Sequence, residues 1–178
     1  METRVFADGR AHRAGGRTRR AGADPERNLT HIRETLIDQA AVRPESLHPM
    51  PVESFDLAEA AREYAGALAV IAGTPPEIDL VHLGLGPDGH AASLVPGDPV
   101  NQVTDRDVAL TGVFQGRCRM TLTYPAINRA RRVLWLVTGA EKAAMLARLQ
   151  KADASIPAGR VRQERAVIVA NRAAVDRA

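Results

Sequence analysis

The run of residues 78–86, IDLVHLGLG, constrains the fold more than any other part of the sequence. From Leu80 onward, apolar side chains fill both alternating sets of positions in this run, interrupted by His82 and the glycines. A strand with one face in water alternates apolar and polar residues, whereas a strand buried on both faces is apolar throughout. The run therefore predicts a central strand of a parallel sheet that is covered on both faces.

Further helices and strands are predicted on both sides of this run. Residues 28–41 and 56–73 carry apolar side chains at helical spacing. Asn28 is the predicted N-cap of the first helix, Asp56 or Ser54 that of the second, and Gly73 closes the second. Downstream, we predict strands over residues 107–114, 119–124, 132–139 and 165–170, and a helix over 140–150. This alternation indicates an α/β fold of three layers, with a mostly parallel sheet and flanking helices.

The composition suits a single globular domain. The chain has 178 residues, of which 45% are hydrophobic and 25% charged, and this is enough for one domain with its own core. No apolar run approaches the roughly 20 residues that span a bilayer. The single cysteine, Cys118, excludes an internal disulfide and fits a reducing compartment. We therefore expect a cytoplasmic protein without a membrane partner.

Positive charge is concentrated at the start of the chain. Residues 1–27 contain seven arginines and four acidic residues, which accounts for the whole net charge of +3. The segment is rich in Gly and Ala and has no apolar period, so residues 1–23 are predicted to be a basic arm and 24–178 one α/β domain. No Phe, Tyr or Trp that could stack on bases lies among the arginines of residues 10–27, so no nucleic-acid partner is expected.

The predicted strand at 78–86 leads into GLGPDGH, residues 84–90, where Gly84, Gly86 and Gly89 form a G-x-G-x-x-G pattern. In dinucleotide-binding folds this pattern opens a crossover helix, and an acidic residue follows about 20 residues later at the end of the next strand. Here residues 95–107, VPGDPVNQVTDRD, are too broken for that helix, and the acidic residues at 105 and 107 precede a strand. The sequence thus weighs against a dinucleotide cofactor.

The same turn carries Asp88 and His90, which indicate a different chemistry. A histidine titrates near neutral pH and can act as a general base, and a neighbouring carboxylate can fix its tautomer. The alternative is a histidine that caps a helix in a solvated loop. The other histidines lie in the arm, a helix, a loop and the predicted strand, where His82 would be a core or sheet-face residue. No spacing of His, Cys or Asp is typical of zinc sites, so no metal is expected.

Several ordered motifs resemble those of 6-phosphogluconolactonases. They are LGLGPDGHAASLVPG at 83–97, RMTLTYPAINRARRVLWLVTGAEKAAML at 119–146, IPAGRV at 156–161, and the segments DPERNLTHIRETLID and RPESLHPMP upstream. The resemblance extends over about residues 24–172. A weaker similarity connects the glucosamine-6-phosphate deaminases, which share a related turn and the fold.

The resemblance implies an α/β fold of the sugar-phosphate isomerase and lactonase type, Rossmann-like in its layers. It implies hydrolysis of a phosphorylated sugar lactone without cofactor or metal, by a monomer or homodimer. His90 matches the family's base, which activates water, and Asp88 matches the residue that orients this base. The remaining matched positions would line the sugar (Gly84, Gly86, Gly89) or hold its phosphate (Arg119, Lys142 and Arg10).

The front of the chain departs from the family. Its members begin with a further strand, a Gly-Gly-Ser/Thr loop that cradles phosphate, and a helix, none of which is present here. FADGR at 6–10 resembles a remnant of the strand that ends in Asp-Glu-Arg, which is how Arg10 enters the phosphate site. We expect a shortened relative with exposed apolar surface that promotes association. A sugar-phosphate binder without turnover and an amino-sugar-phosphate deaminase are the alternatives, although the acidic residues of deaminases are not found.

Overall fold

The fold is taken from a computed structural model that describes residues 5–7, 9–10, 28–40, 42–113 and 118–175. Its strands are β1 (Val5–Ala7), β2 (Gly9–Arg10), β3 (Leu47–Pro49), β4 (Leu80–Gly84), β5 (Val108–Leu110), β6 (Arg119–Leu122), β7 (Arg132–Val137) and β8 (Ala166–Ala170). Its α-helices are α1 (Asn28–Ile32), α2 (Leu57–Ala72), α3 (Tyr124–Arg129), α4 (Ala143–Gln150) and α5 (Arg172–Val175). Most of the predicted arm lies outside the described residues, and β1 and β2 fall where the strand remnant was expected.

The helices follow the local signals in the sequence. Helix α2 begins after Asp56, whose side chain accepts a hydrogen bond of 2.9 Å from the backbone N–H of Glu59. It ends at Gly73, which has a φ of +92° that side chains disfavour. Helix α1 starts at Asn28 and continues as a π-helical turn over Arg33–Ile37. The predicted N-cap Asp56 of α2 is therefore confirmed, whereas Asn28, predicted as the N-cap of the first helix, is the first residue of α1.

The described strands form three small sheets. Strands β4, β7 and β8 are parallel, with β7 in the middle, and this sheet confirms the predicted parallel layer. Strands β1 and β3 form a parallel pair. Strand β6 lies between β2 and β5 and is antiparallel to both. The strands predicted at 107–114 and 119–124 thus form an antiparallel unit rather than part of the parallel layer, because the short connection between them allows only a reversal of direction.

One face of the β4–β7–β8 sheet forms the main core. Val81 and Leu83 of β4 and Trp135 of β7 are buried there together with Leu146 and Leu149 of α4. The first three residues alternate with exposed positions along their strands, which is the period of a sheet with a single buried face. Burial of these side chains supplies the main favourable term in folding.

The other face of the same sheet is exposed in the described structure. The exposed fractions are 52% for Leu80, 48% for Leu136, 53% for Val167 and 49% for Val169. The prediction that β4 is covered on both faces is therefore wrong, and His82 is an exposed residue of this face rather than a core residue. The pattern of β4 predicted a covering layer on each face, but the described part of the chain supplies a layer for only one of them.

No helix in the described part of the chain is both long and apolar enough to cross a membrane.

Candidate active site

The turn after β4 is a closed loop held by its own backbone. The N–H of Gly86 donates to the carbonyl of His90 at 2.8 Å, and the N–H of Gly89 donates to the carbonyl of Gly86 at 3.0 Å. Gly89 has a φ of +83°, a conformation that is strained for any residue with a side chain. Because the strand is buried on one side and the loop is short, the turn lies in a defined position at the carboxyl end of the parallel sheet.

Asp88 and His90 form a pair within this turn. Oδ1 of Asp88 lies 2.6 Å from Nδ1 of His90 and also accepts a bond of 3.2 Å from the backbone N–H of His90. Both side chains are partly exposed, with 42% and 29% of their surface accessible. Burial raises the pKa of the Asp88 carboxyl, but the hydrogen bonds and charge of His90 outweigh this effect and hold that pKa below its ordinary value.

The direction of this hydrogen bond determines which ring nitrogen is available for chemistry. An ionised carboxylate has no proton to donate, so Nδ1 of His90 carries the proton and donates it to Asp88. Nε2 then holds the lone pair and can accept a proton. The negative charge of Asp88 also stabilises the imidazolium that forms when Nε2 is protonated. The hypothesis of a helix-capping histidine does not describe this geometry, because no α-helix begins in the turn or directly after it.

Gly86 provides the space that this pair occupies. An ideal Cβ on Gly86 would lie 2.6 Å from Oδ1 of Asp88 and closer still to Nδ1 of His90. A methyl group at this position cannot coexist with the observed side-chain positions. Gly86 is therefore glycine for a reason that involves the Asp88–His90 pair directly. This reason differs from the close approach of a pyrophosphate that a dinucleotide site requires.

Gly89 provides space for a second segment that supports the turn. A Cβ on Gly89 would lie 2.8 Å from Cβ of Ile156 and 3.3 Å from Sδ of Met145 in α4. The carbonyl of Gly89 also accepts a hydrogen bond of 2.9 Å from the N–H of Ala158. The turn is thus clamped between β4 and the 3₁₀ helix at Pro157–Arg160. Reasoning from local pattern did not identify Met145 or Ile156 as part of the site, because neither carries a chemical signal.

Gly84, at the end of β4, was predicted to line the sugar, and its surroundings differ from those of Gly86 and Gly89. No heavy atom lies within 4 Å of an ideal Cβ on Gly84, and the residue is exposed on the open side of the sheet. Its contact with a sugar stays a prediction. Among the three glycines, the structure thus brings Gly86 and Gly89 together with Asp88 and His90 and leaves Gly84 at the edge.

Lys142 lies at the same edge of the sheet as the turn. It ends the 3₁₀ helix Ala140–Lys142, which follows β7 and leads directly into α4. Gly84 is in register with Leu136, so the segments that follow β4 and β7 lie side by side. The first turn of α4 reaches Gly89 through Met145. Lys142 is half-exposed near a helix N-terminus, a location that favours an anion.

Arg119 and Arg10 lie on neighbouring strands. Their Cα atoms are in register in the antiparallel pair of β2 and β6. Arg119 is only 4% exposed, so it is not a surface charge at a strand end. Thr121, two residues later and on the same face of β6, accepts a hydrogen bond of 3.2 Å from the N–H of Ser93. This bond connects the face of Arg119 to the segment that follows His90.

In the described part of the chain, no group of three or more His, Cys, Asp or Glu side chains is arranged to hold a metal ion. The residues after the turn also lack the helix of a dinucleotide site, since the chain passes from Ala91 through turns to the 3₁₀ helix Pro99–Gln102. A half-buried carboxylate–imidazole pair at a strand end can remove a proton from water or from a substrate.

Comparison with known proteins decides the family. The profile of the family described as glucosamine-6-phosphate isomerases/6-phosphogluconolactonase matches residues 21–170. The chain belongs to this family. The family resemblance predicted from the sequence motifs and the predicted fold class are thereby confirmed, since the match includes β3 to β8 and the whole Asp88–His90 turn.

Individual relatives give the same result. The 6-phosphogluconolactonase of Synechocystis sp. is 43% identical over 122 residues, which are 66% of this chain and 50% of the relative. The 6-phosphogluconolactonase of Streptomyces coelicolor is 38% identical over 134 residues, or 67% of this chain and 50% of the relative. The chain thus spans about half the length of the curated relatives that it matches.

Solved structures share the fold of this family member. The crystal structure of 6-phosphogluconolactonase from Thermotoga maritima superposes with a TM-score of 0.74 at 28% identity, covering 94% of this chain and 71% of that one. A monomeric glucosamine-6-phosphate deaminase has a TM-score of 0.76 at 16% identity, with 96% and 73% covered, and at this identity the likeness concerns the fold alone. The fold therefore does not distinguish a lactonase from a deaminase.

Proposed function

We propose that this chain hydrolyses 6-phospho-D-glucono-1,5-lactone to 6-phospho-D-gluconate. The observation that carries the proposal is the bond of 2.6 Å between Asp88 and Nδ1 of His90, which leaves Nε2 as a base at the carboxyl end of β4. The names of the relatives favour this substrate over others of the family. The site needs neither metal nor cofactor for this reaction, since a lactone carbonyl is attacked readily by a deprotonated water.

The proposed reaction uses His90 twice. Nε2 takes a proton from water while the water oxygen attacks the lactone carbonyl carbon, and the carbonyl oxygen becomes an oxyanion. The oxyanion then collapses, the bond from the carbonyl carbon to the ring oxygen breaks, and the imidazolium returns the proton to that ring oxygen. Asp88 stays ionised throughout and holds the ring orientation, because its pKa lies below the ordinary value.

The oxyanion needs a backbone donor, and three N–H groups of the turn are already engaged. The N–H groups of Gly86, Gly89 and His90 already donate to acceptors inside the turn. Ala92 follows two residues after His90 with a φ of +51°, and its N–H has no acceptor in the portion of the chain that the structure describes. A non-glycine residue in this conformation is strained, and such strain clusters at functional sites. We assign the oxyanion to the N–H of Ala92.

The phosphate of the substrate would be held by basic groups outside the turn. Lys142 is the first candidate, because it precedes α4, whose first turn contacts Gly89 through Met145. Arg119 is the second candidate, and Arg10 lies opposite it in register. A cation at a helix start offers both a side-chain charge and backbone donors to a phosphate.

The test is an assay with freshly prepared 6-phosphogluconolactone, in which loss of lactone is followed above its spontaneous hydrolysis. We expect a clear acceleration with the phosphorylated lactone and a much smaller one with unphosphorylated glucono-1,5-lactone, because only the first engages the basic groups. No acceleration of either lactone by folded protein would refute the proposal. If calorimetry then detected binding of 6-phosphogluconate, we would conclude that the chain is a sugar-phosphate binder without turnover. This is the second candidate function, and the match to only about half the length of the relatives favours it. Ammonia release from glucosamine 6-phosphate would indicate a deaminase.

Asp88→Asn is expected to lower the rate constant for lactone hydrolysis by about 10²- to 10⁴-fold while the Michaelis constant changes little. Asparagine has the same shape but no charge, so it neither stabilises the imidazolium nor keeps the proton on Nδ1. Steady-state kinetics measure the effect. Asp105→Asn is a matched control, because Asp105 is an exposed carboxylate that pairs with the neighbouring Arg106. Equal losses in both variants would remove Asp88 from the mechanism.

Because the pKa of Asp88 is lowered in the folded state, the folding stability lost in Asp88→Asn depends on pH. Because the pKa of the folded state lies below that of the unfolded chain, ionised Asp88 stabilises the fold above the ordinary aspartate range. This contribution is lost as the pH falls through the folded-state pKa. Urea denaturation should therefore show wild type and Asp88→Asn to differ more at pH 7 than at pH 3.

A further inference from the structure

The support of the turn continues beyond Gly89 to a buried tyrosine. The carbonyl of Gly89 accepts its hydrogen bond of 2.9 Å from the N–H of Ala158. The carbonyl of Pro157 belongs to the same peptide group as that N–H, and the hydroxyl of Tyr124 donates to it at 3.0 Å. Tyr124 begins α3 and is only 7% exposed. A single peptide group therefore links its hydroxyl to the turn.

Beyond Gly89 the same pattern repeats once more. The carbonyl of Gly89 and the N–H of His90 form one peptide group, and this N–H donates to Oδ1 of Asp88 at 3.2 Å. The hydroxyl of Tyr124 is thus the first donor of a chain of three hydrogen bonds that runs through two peptide groups and ends on the Asp88 carboxylate. All three bonds point in the same direction, so each polarises and strengthens the next. Because a peptide group is planar, a rotation of either group disturbs the bonds on both sides of it.

The same hydroxyl also faces the segment that follows the turn. Oδ1 of Asn101 lies 3.1 Å from it, and the NH₂ group of this amide donates to the carbonyls of Val95 and Asp98. These two bonds fix which end of the amide faces the tyrosine. A phenol carries one proton to donate, so Tyr124 shares it between the oxygens of Asn101 and Pro157. The hydroxyl therefore ties the segment after the turn to the 3₁₀ helix that supports the turn.

Tyr124 is a permanent donor at neutral pH. Burial raises the pKa of its hydroxyl to about 12, and the positive charge of Arg160 opposes this effect only in part. The guanidinium of Arg160 lies over the ring, 4.4 Å from its centroid, and this contact needs the ring rather than the hydroxyl. Phenylalanine at this position would therefore keep the packing and remove only the donor.

We propose that Tyr124 is a positioning residue of the candidate active site, whose hydroxyl fixes the Asp88–His90 pair through the two peptide groups. The inference rests on the proposed function, because it concerns the rate at which His90 acts on the lactone. Without the hydroxyl, the peptide group of Pro157 and Ala158 loses a bond that fixes its plane, and its N–H no longer holds the turn in a single position. A misplacement of reacting groups by about 1 Å costs about 10²-fold in rate, so a smaller displacement is still measurable.

Tyr124→Phe tests the proposal, since it removes the proton donor and keeps the packed ring. In the lactone assay we expect the rate constant to fall by about tenfold while the Michaelis constant stays within about twofold, because the basic groups proposed for the phosphate lie outside this chain of bonds. Independently of activity, hydrogen exchange of the Ala158 N–H, followed by NMR on the full chain, should become faster by about tenfold or more. The reason is that its peptide group loses the bond on the other side.

Tyr64→Phe is the matched control. Tyr64 is the other tyrosine of the chain, is 6% exposed, and donates to the carbonyl of His48 in β3 at 2.9 Å. Each variant loses the hydroxyl of a buried tyrosine, so the midpoint of urea denaturation should fall by a similar amount in both. The rate constant and the exchange at Ala158 should change only in Tyr124→Phe.

A Tyr124→Phe variant with the rate constant and the exchange of wild type would overturn the proposal. Equal losses of rate in both tyrosine variants, or a Tyr124→Phe that is unfolded by circular dichroism, would also overturn it, since the hydroxyl would then stabilise the fold as a whole. A wild-type chain that does not hydrolyse the lactone would refute the proposed function alone, and exchange at Ala158 would still decide whether Tyr124 holds the turn.

Discussion

Replacement of His90 by alanine is expected to reduce enzyme-dependent hydrolysis of 6-phosphogluconolactone to the spontaneous rate or within about tenfold of it. His90 supplies the proton acceptor for the attacking water and the proton donor for the leaving ring oxygen, and removal of a general acid–base group costs about 10²- to 10⁴-fold. The other titratable side chain of the turn is Asp88, whose pKa lies below its ordinary value, so this carboxylate is a much weaker base than the imidazole.

The measurement is the rate of lactone loss at saturating substrate, corrected for the buffer reaction. Binding of 6-phosphogluconate by calorimetry should be retained in His90→Ala, because the proposed phosphate groups lie outside the turn. His31→Ala provides the control, since His31 is an exposed residue of α1. Equal rates for wild type and His90→Ala would show that any catalysis arises elsewhere, and the proposed mechanism would fail.

Gly86→Ala is expected to abolish most of the activity while the protein stays folded. The added Cβ would lie 2.6 Å from Oδ1 of Asp88 and nearer to Nδ1 of His90, so the pair cannot keep its geometry. The atoms in the way are ends of partly exposed side chains, which can swing into solvent at little cost to the fold. The backbone of Gly86 is also outside the left-handed region, so alanine introduces no strain there.

We expect a decrease of about 10²-fold or more in the rate constant, with the midpoint of urea denaturation nearly unchanged. Gly66→Ala is the matched control. Its Cβ would meet no atom within 4 Å inside α2, and alanine in a helix interior stabilises by about 0.5–1 kcal/mol relative to glycine. A fully active Gly86→Ala would mean that the Asp88–His90 pair is not the working form of the site. An unfolded Gly86→Ala would mean that the surroundings of the turn are less adaptable than described.

Much of the site was predictable because its central part is local in sequence. Asp88, Gly89 and His90 follow directly on a strand that its apolar residues mark clearly, and the carboxyl end of a parallel strand is where ligands bind in such sheets. The family motifs then assigned roles to the same residues. By contrast, Ile156, Met145 and Ala92 have no signal of their own. Ile156 and Met145 enter the site only because distant segments pack against Gly89.

Two expectations differed from the structure for a physical reason. The strands at 107–114 and 119–124 were expected in a mostly parallel layer, but a short connection forces β5 and β6 into an antiparallel pair. The apolar residues at both alternating sets of positions in β4 predicted burial on both faces, but one face is open in the described structure. An apolar pattern predicts that a strand face is buried, but it does not show whether another segment of the chain packs against that face.

The sequence by itself determined the α/β class, the limits of α2, the family, and the order of strand, glycine turn and histidine, because each of these depends on neighbouring residues. Only the tertiary structure decided that Nδ1 of His90 is engaged by Asp88, that Gly86 leaves room for this pair, and that Arg119 is buried. It also decided that one face of the sheet is uncovered among the described residues. These features depend on distances between side chains, or on contacts between segments far apart in the chain. Such contacts arise only when the whole chain is packed.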